Sequence, residues 1–125
     1  MDILTDFCND WLGAWTGNQP DLLMTFYTED AYYSDPATRN GLHGHQELFP
    51  YFSKLLKYNP DWQWKALEII ETAKGFTLKW EATIPVGDTN IIEQGLDIVE
   101  LRSGKISRNE VYFDRATWLK AAGNK

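Results

Sequence analysis

Near the start of the chain, Leu4, Phe7, Cys8, Trp11, Leu12 and Trp15 recur at steps of three and four, which places them on one face of a helix. Gly17 and Asn18 stop it. Asn18 is placed to cap a second, short helix, with Pro20 in its first turn, Asp21 near its positive end and Leu22, Leu23, Phe26 and Tyr27 on its buried side. Ala31 to Asp35 then turns extended. After a loop through Gly41 and Gly44, Leu48, Tyr51, Phe52, Leu55 and Leu56 return to helical spacing, with Pro50 confined to the first turns of this third helix or marking its start.

The second half changes period. Phe76, Leu78, Trp80, Ala82 and Ile84 alternate with Thr77, Lys79, Glu81 and Thr83, the two-residue rhythm of a strand with unlike faces. Asp61 to Thr72 reads as the strand before it, joined through Ala73-Lys74-Gly75. Pro85-Val86-Gly87-Asp88 turns the chain into Ile91 to Leu101, and Arg102-Ser103-Gly104-Lys105 turns it into Ile106 to Asp114. Four long antiparallel strands in a meander follow, with a short terminal helix over Ala116 to Ala122. Helices first and a meander afterwards predict an α+β domain whose curved sheet wraps against the N-terminal helices.

The length of 125 residues suits one domain, 1–125, with a single core. Aromatic residues make up 14% of it, enough large rings to fill that core or to wall an apolar cavity. A net charge of −6 argues against nucleic acid, which needs a basic surface. Cys8 is the single cysteine, so there is no intrachain disulfide and no multi-cysteine zinc site, and a reducing compartment fits. MDILTDF lacks a secretion signal and no apolar run approaches a membrane span, so the expectation is a cytoplasmic protein with no membrane partner. No Gly-rich phosphate loop is present, and no cofactor is expected. His43 and His45 have no third ligand at a recognisable spacing, which predicts no metal.

Two carboxylates stand in unusual places. Asp35 ends an aromatic extended run immediately before Pro36, a position that suits either the cap of a turn or a base. In Gly95-Leu96-Asp97-Ile98-Val99-Glu100-Leu101, alternation puts Asp97 on one face with Val99 and Leu101. If that face looks inward, burial disfavours the charged carboxylate and raises its pKa. His43 or Trp15 is a candidate partner for it. Asn109, Val111 and Phe113 share the inner face of the last strand, and Glu93 is in phase with Asp97 if no bulge intervenes. The outer face, with Leu96, Ile98 and Tyr112 among Arg108 and Glu110, is apolar enough to predict a homodimer interface.

The order of elements, the SDP after the first strand (Ser34-Asp35-Pro36), the GH opening the third helix and the closing SGKISRNEVYFD resemble the nuclear transport factor 2-like superfamily, in particular its SnoaL-like and ketosteroid isomerase-like members. The resemblance covers nearly the whole chain. It implies a cone-shaped α+β barrel, usually dimeric, with a pocket between sheet and helices. It also implies roles: Ser34-Asp35-Pro36 matches the segment that carries the isomerases' catalytic base, and Asp97 matches their protonated oxyanion-hole aspartate. Trp11 stands where those enzymes carry an oxyanion-hole tyrosine and Phe52 where a supporting tyrosine follows, while Tyr27 matches a tyrosine of the same network. An indole donates but cannot accept. An Asp-Arg-Asp arrangement like that of limonene epoxide hydrolases is not formed, since Arg108 falls on the face opposite Asn109.

The expected function is therefore a pocket for a small apolar molecule, with acid/base chemistry on a carbonyl-bearing substrate. Asp35 would shuttle the proton, Asp97 would be the neutral donor, and Trp11 or Trp15 would donate through the indole nitrogen. Trp11, Trp15, Tyr27, Tyr51, Phe52, Trp80, Asn109, Val111 and Phe113 form the expected binding set. The alternative is a non-catalytic ligand-binding or assembly module of the same fold.

Overall fold

A computed structural model of the chain describes residues 3–114 and 116. Helix α1 (Ile3–Gly13) turns Cys8, Trp11 and Leu12 inward. It is followed by α2 (Pro20–Met24), β1 (Tyr27–Ser34), β2 (Leu42–His43), α3 (Gly44–Tyr58) and the strands β3 (Gln63–Glu71), β4 (Gly75–Val86), β5 (Thr89–Arg102) and β6 (Lys105–Tyr112). The terminal helix expected over Ala116 to Ala122 lies, beyond Ala116, outside the described residues. No helix among the described residues is long and apolar enough to cross a membrane.

The fold is α+β, N-terminal helices with a six-stranded sheet in the order β2-β1-β6-β5-β4-β3. Strands β3 to β6 form the antiparallel meander. The sheet is mixed rather than wholly antiparallel, because β1 pairs in parallel with β6. That pairing is open to them because α3 and four strands intervene, far more than a crossover needs. The hairpin between β5 and β6 turns on Ser103 and Gly104, both at positive φ (54° and 81°), the conformation of a tight two-residue turn.

Two local expectations are corrected. Helix α2 stops at Met24, with Thr25 as its C-cap. Phe26 is therefore outside the helix, and Tyr27 begins β1, four residues before the extended run was expected. Asn18 does not cap α2: it has φ 56°, and the N-cap is Gln19 without a side-chain bond. Helix α3 opens at Gly44, and Pro50 falls in its second turn, within the first turns where it was expected. At the opening, the Glu47 carboxylate accepts the His43 N–H at 2.7 Å, satisfying one of the donors that a helix start leaves free.

The core joins α1, α3 and the inner face of the sheet. Phe76 meets Trp11 edge-on at 6.3 Å and Phe7 at 6.0 Å, so α1 lies against β4. Phe52 of α3 meets Tyr33 edge-on at 4.9 Å, which seats α3 against β1. A register shift between Ala66 and Glu68 puts an extra residue, Leu67, into β3 and turns it towards solvent.

Candidate functional site

The two-residue period carries Trp80 on β4, Asp97 on β5 and Val111 on β6 to the inner face, with Asp97 directly opposite Leu78 and Val111. Between this face and the helices lies a cavity of about 170 Å³. The sheet contributes Tyr33, Trp64, Trp80, Asp97, Val111 and, just past β6, Phe113; α1 and α3 contribute Leu12, Tyr51 and Leu55. Trp15 and Trp62, from the segments after α1 and α3, and the Asp35-Pro36-Ala37 turn complete it. The indoles form a continuous wall: Trp64 is 5.1 Å from Trp80, 5.9 Å from Trp62 and 6.4 Å from Trp15, centroid to centroid.

Asp35 does two things at once. Its Oδ1 accepts the backbone N–H groups of Ala37 and Thr38, each at 2.9 Å, and the Thr38 hydroxyl at 3.0 Å, so one oxygen builds the turn. Its Oδ2 accepts the hydroxyls of Tyr33 and Tyr51, each at 2.7 Å. Both oxygens are thus fully engaged, and the carboxylate meets the cavity alongside the two tyrosines that share it. Burial and the Asp35 charge push the Tyr33 hydroxyl well above its ordinary pKa, so Tyr33 remains a donor.

Asp97 is only 6% exposed. Its Oδ1 accepts Trp80 Nε1 at 2.7 Å and its Oδ2 accepts Asn109 Nδ2 at 3.0 Å. Burial pushes its pKa up to about 6, against the pull of these two hydrogen bonds, and the Asp35 charge adds to the rise. Behind it runs a relay: Trp11 Nε1 donates to the Tyr27 hydroxyl at 3.3 Å, and Tyr27 donates to Asn109 Oδ1 at 2.8 Å. The direction of this relay follows from its first member. An indole N–H only donates, so Tyr27 accepts there and donates onward, which leaves Asn109 presenting its NH₂ to Asp97.

Asp35, Asp97, Trp15, Tyr51, Trp80, Val111 and Phe113 stand on the cavity wall. Trp11, Tyr27, Phe52 and Asn109 do not: all are fully buried behind it, Trp11, Tyr27 and Asn109 as the relay and Phe52 as packing between α3 and β1. Trp11 therefore does not donate into the cavity, because its N–H is spent on Tyr27. The partners of Asp97 are Trp80 and Asn109 rather than Trp15 or His43; His43 packs on Tyr32 at 5.1 Å, away from Asp97.

Sequence reasoning missed Tyr33, Trp62 and Trp64. Tyr33 had a readable signal, being two residues before Asp35 on the same strand face, and Trp62 and Trp64 share a phase in the same way. Trp64 carries a further feature: its Nε1 is buried without a partner, as is Oε1 of Glu93. The β4–β5 register is continuous, so Glu93 is in phase with Asp97, and Trp64, Ala82 and Glu93 lie in one row across the sheet. Arg108 is on the outer face, held by Glu100 at 2.8 Å and Glu110 at 2.7 Å. Among the described residues, no three His, Cys, Asp or Glu side chains gather as a metal site would require.

The architecture is shared with solved structures. A protein of ketosteroid isomerase-like fold from Catenulispora acidiphila, in complex with trimethylamine, superimposes with a TM-score of 0.81 at 18% identity, over 94% of this chain and 92% of that one. TerC co-crystallised with polyporic acid gives 0.79 at 11%, over 96% and 98%. A nuclear transport factor 2-like protein of unknown function from Burkholderia pseudomallei gives 0.79 at 12%, over 98% of both chains. At such identities the likeness is one of fold. No curated protein sequence matches the chain. The SnoaL-like domain model does match, over residues 9–109, and with the fold and its aromatic cavity in place the chain belongs to the SnoaL-like domain family.

Proposed function

We propose that this protein takes up a small, mostly apolar, carbonyl-bearing molecule and moves a proton on it. The observation that carries the reading is the pair of carboxylates with unlike surroundings on one aromatic cavity, Asp35 fixed by tyrosines and a turn, Asp97 buried. Asp97, pushed up to about 6, exchanges its proton close to neutral pH, where proton transfer by a carboxyl is most effective. Asp35 works with Tyr51, since any proton it takes must displace a hydrogen bond to Oδ2 or pass through a hydroxyl that makes one. Two of the similar structures hold small molecules, trimethylamine and polyporic acid, which supports a ligand pocket.

The test is α-proton exchange of cyclohexanone in deuterated buffer, followed by NMR. Exchange above the buffer rate that disappears in Asp97→Asn and falls in Asp35→Asn supports the reading; exchange at the buffer rate sinks it. The engagement of both Asp35 oxygens favours a second reading, binding without chemistry, in which cyclohexanone binds and no exchange is accelerated.

We also propose a second copy of the chain on the outer sheet face. Ile70, Ile92, Leu96 and Tyr112 are exposed there, the last three at 56%, 44% and 53%. Leu96→Glu should convert a dimer to a monomer in sedimentation; a wild-type monomer would reject the proposal.

A further inference from the structure

The cavity is walled by Trp15, Trp62, Trp64 and Trp80 and carries Asp35 and Asp97. Among the described residues that line it there is no lysine, arginine or histidine. The hydrogen bonds these carboxylates receive come from neutral donors: tyrosine and threonine hydroxyls, backbone amides, an asparagine and an indole. The carboxylates are hydrogen-bonded, but their charge is left without a counter-charge among the residues that line the cavity. The rings add to the same sign, because the face of an aromatic ring is the negative part of its quadrupole, and indole attracts cations most strongly.

A small, strongly hydrated ion does not suit this wall, which offers ring faces and, among the described residues, no group of three His, Cys, Asp or Glu side chains to hold it. An alkylated ammonium does. It has little hydration to lose, its alkyl groups cover apolar surface, and its charge is spread over a volume that several rings can touch. Size agrees as well: a cavity of about 150 Å³ holds one benzene ring, so about 170 Å³ accepts a trimethylammonium group with a short chain.

We infer that the ligand of this cavity carries a small tertiary or quaternary ammonium group, seated among the four indoles beside Asp35 and Asp97. This rests on the reading of the cavity as a ligand site, and it adds the charge and substituent class of the ligand.

Choline and 3,3-dimethylbutan-1-ol test the charge directly. They share shape and hydroxyl group and differ in one central atom, a cationic nitrogen against a neutral carbon. Each is titrated into the full chain by tryptophan fluorescence and calorimetry, with the Trp64 and Trp80 indole N–H signals followed by NMR to locate binding. Choline should bind roughly tenfold more tightly than the alcohol and move both indole signals. Equal affinity, or a preference for the alcohol, overturns the inference. Cyclohexanone run in parallel separates the two levels: ketone binding without a choline preference removes the cation and leaves the pocket reading, whereas no binding by any of the three removes both. In Asp35→Asn with a wild-type circular dichroism spectrum, the choline preference should shrink. A preference that stays unchanged there removes the carboxylate from the recognition and overturns the inference as stated.

Discussion

Replacing Asp97 by asparagine should change the pH dependence of stability far more than stability itself. A carboxyl whose pKa rises from 3.8 to about 6 on folding is linked to roughly 3 kcal/mol, at about 1.36 kcal/mol per pKa unit. The sign follows from proton counting. Between about pH 4 and 6 the folded chain holds this proton and the unfolded chain does not, so the wild type loses stability as pH rises through that window and levels off above it. Asparagine removes the slope. It also removes the cost of a buried charge at pH 7, but the amide NH₂ it brings meets the NH₂ of Asn109, which the relay from Trp11 holds in place. That clash of donors costs about 1–3 kcal/mol, so the two effects nearly cancel at pH 7. Urea denaturation of both proteins at pH steps from 4 to 8 gives the difference curve. Asp30 beside Arg102 and Glu110 beside Arg108 have lowered pKa values and produce the opposite slope, but they are common to both chains and drop out. Parallel curves between pH 4 and 6 would refute the claim that Asp97 is buried without a charged partner.

Gly95→Ala should be strongly felt, because a Cβ there would sit 2.4 Å from the Trp80 indole and 2.8 Å from the Tyr112 carbonyl oxygen; about 1–3 kcal/mol of stability should be lost, with a changed near-UV spectrum. Gly13→Ala, where an added Cβ meets nothing within 4 Å, is the control and should be neutral or stabilising. Trp11→Phe keeps a ring but removes the donor that sets the relay's direction, which frees Asn109 to turn its carbonyl towards a protonated Asp97. The Asp97 carboxyl signal should then titrate above its wild-type position in carbon NMR; an unchanged midpoint would mean that the relay does not reach Asp97.

The fold was largely legible because its signals are local. Alternation from Phe76 to Ile84 located β4, and the three-and-four spacing from Leu4 to Leu12 located α1. The misplacement of Tyr27 shows where local pattern fails: Leu22, Leu23, Phe26 and Tyr27 keep a helical spacing, yet tertiary contacts end the helix at Met24 and take the Tyr27 ring into the relay. The parallel pairing of β1 with β6 had no sequence signal at all, since it joins segments separated by most of the chain.

The site divides along the same line, between what a strand's period can say and what only packing decides. Period two put both Asn109 and Val111 on the inner face, correctly, but the inner face is core in one place and cavity wall in another. Asn109 lies opposite Tyr33 on β1 and is covered by Tyr27, whose ring Phe52 of α3 holds at 5.3 Å. Val111, two residues on, lies beyond that cover and is open to the cavity. The same step separates Trp11 from Trp15: one turn of chain moves an indole from the relay behind Asp97 to the wall in front of it. A resemblance that matched Trp11 to a donor in the pocket placed it on the right element and in the right hydrogen-bond network. It could not foresee that tryptophan, unable to accept, would stand as the fixed end of a relay rather than as a group facing the cavity.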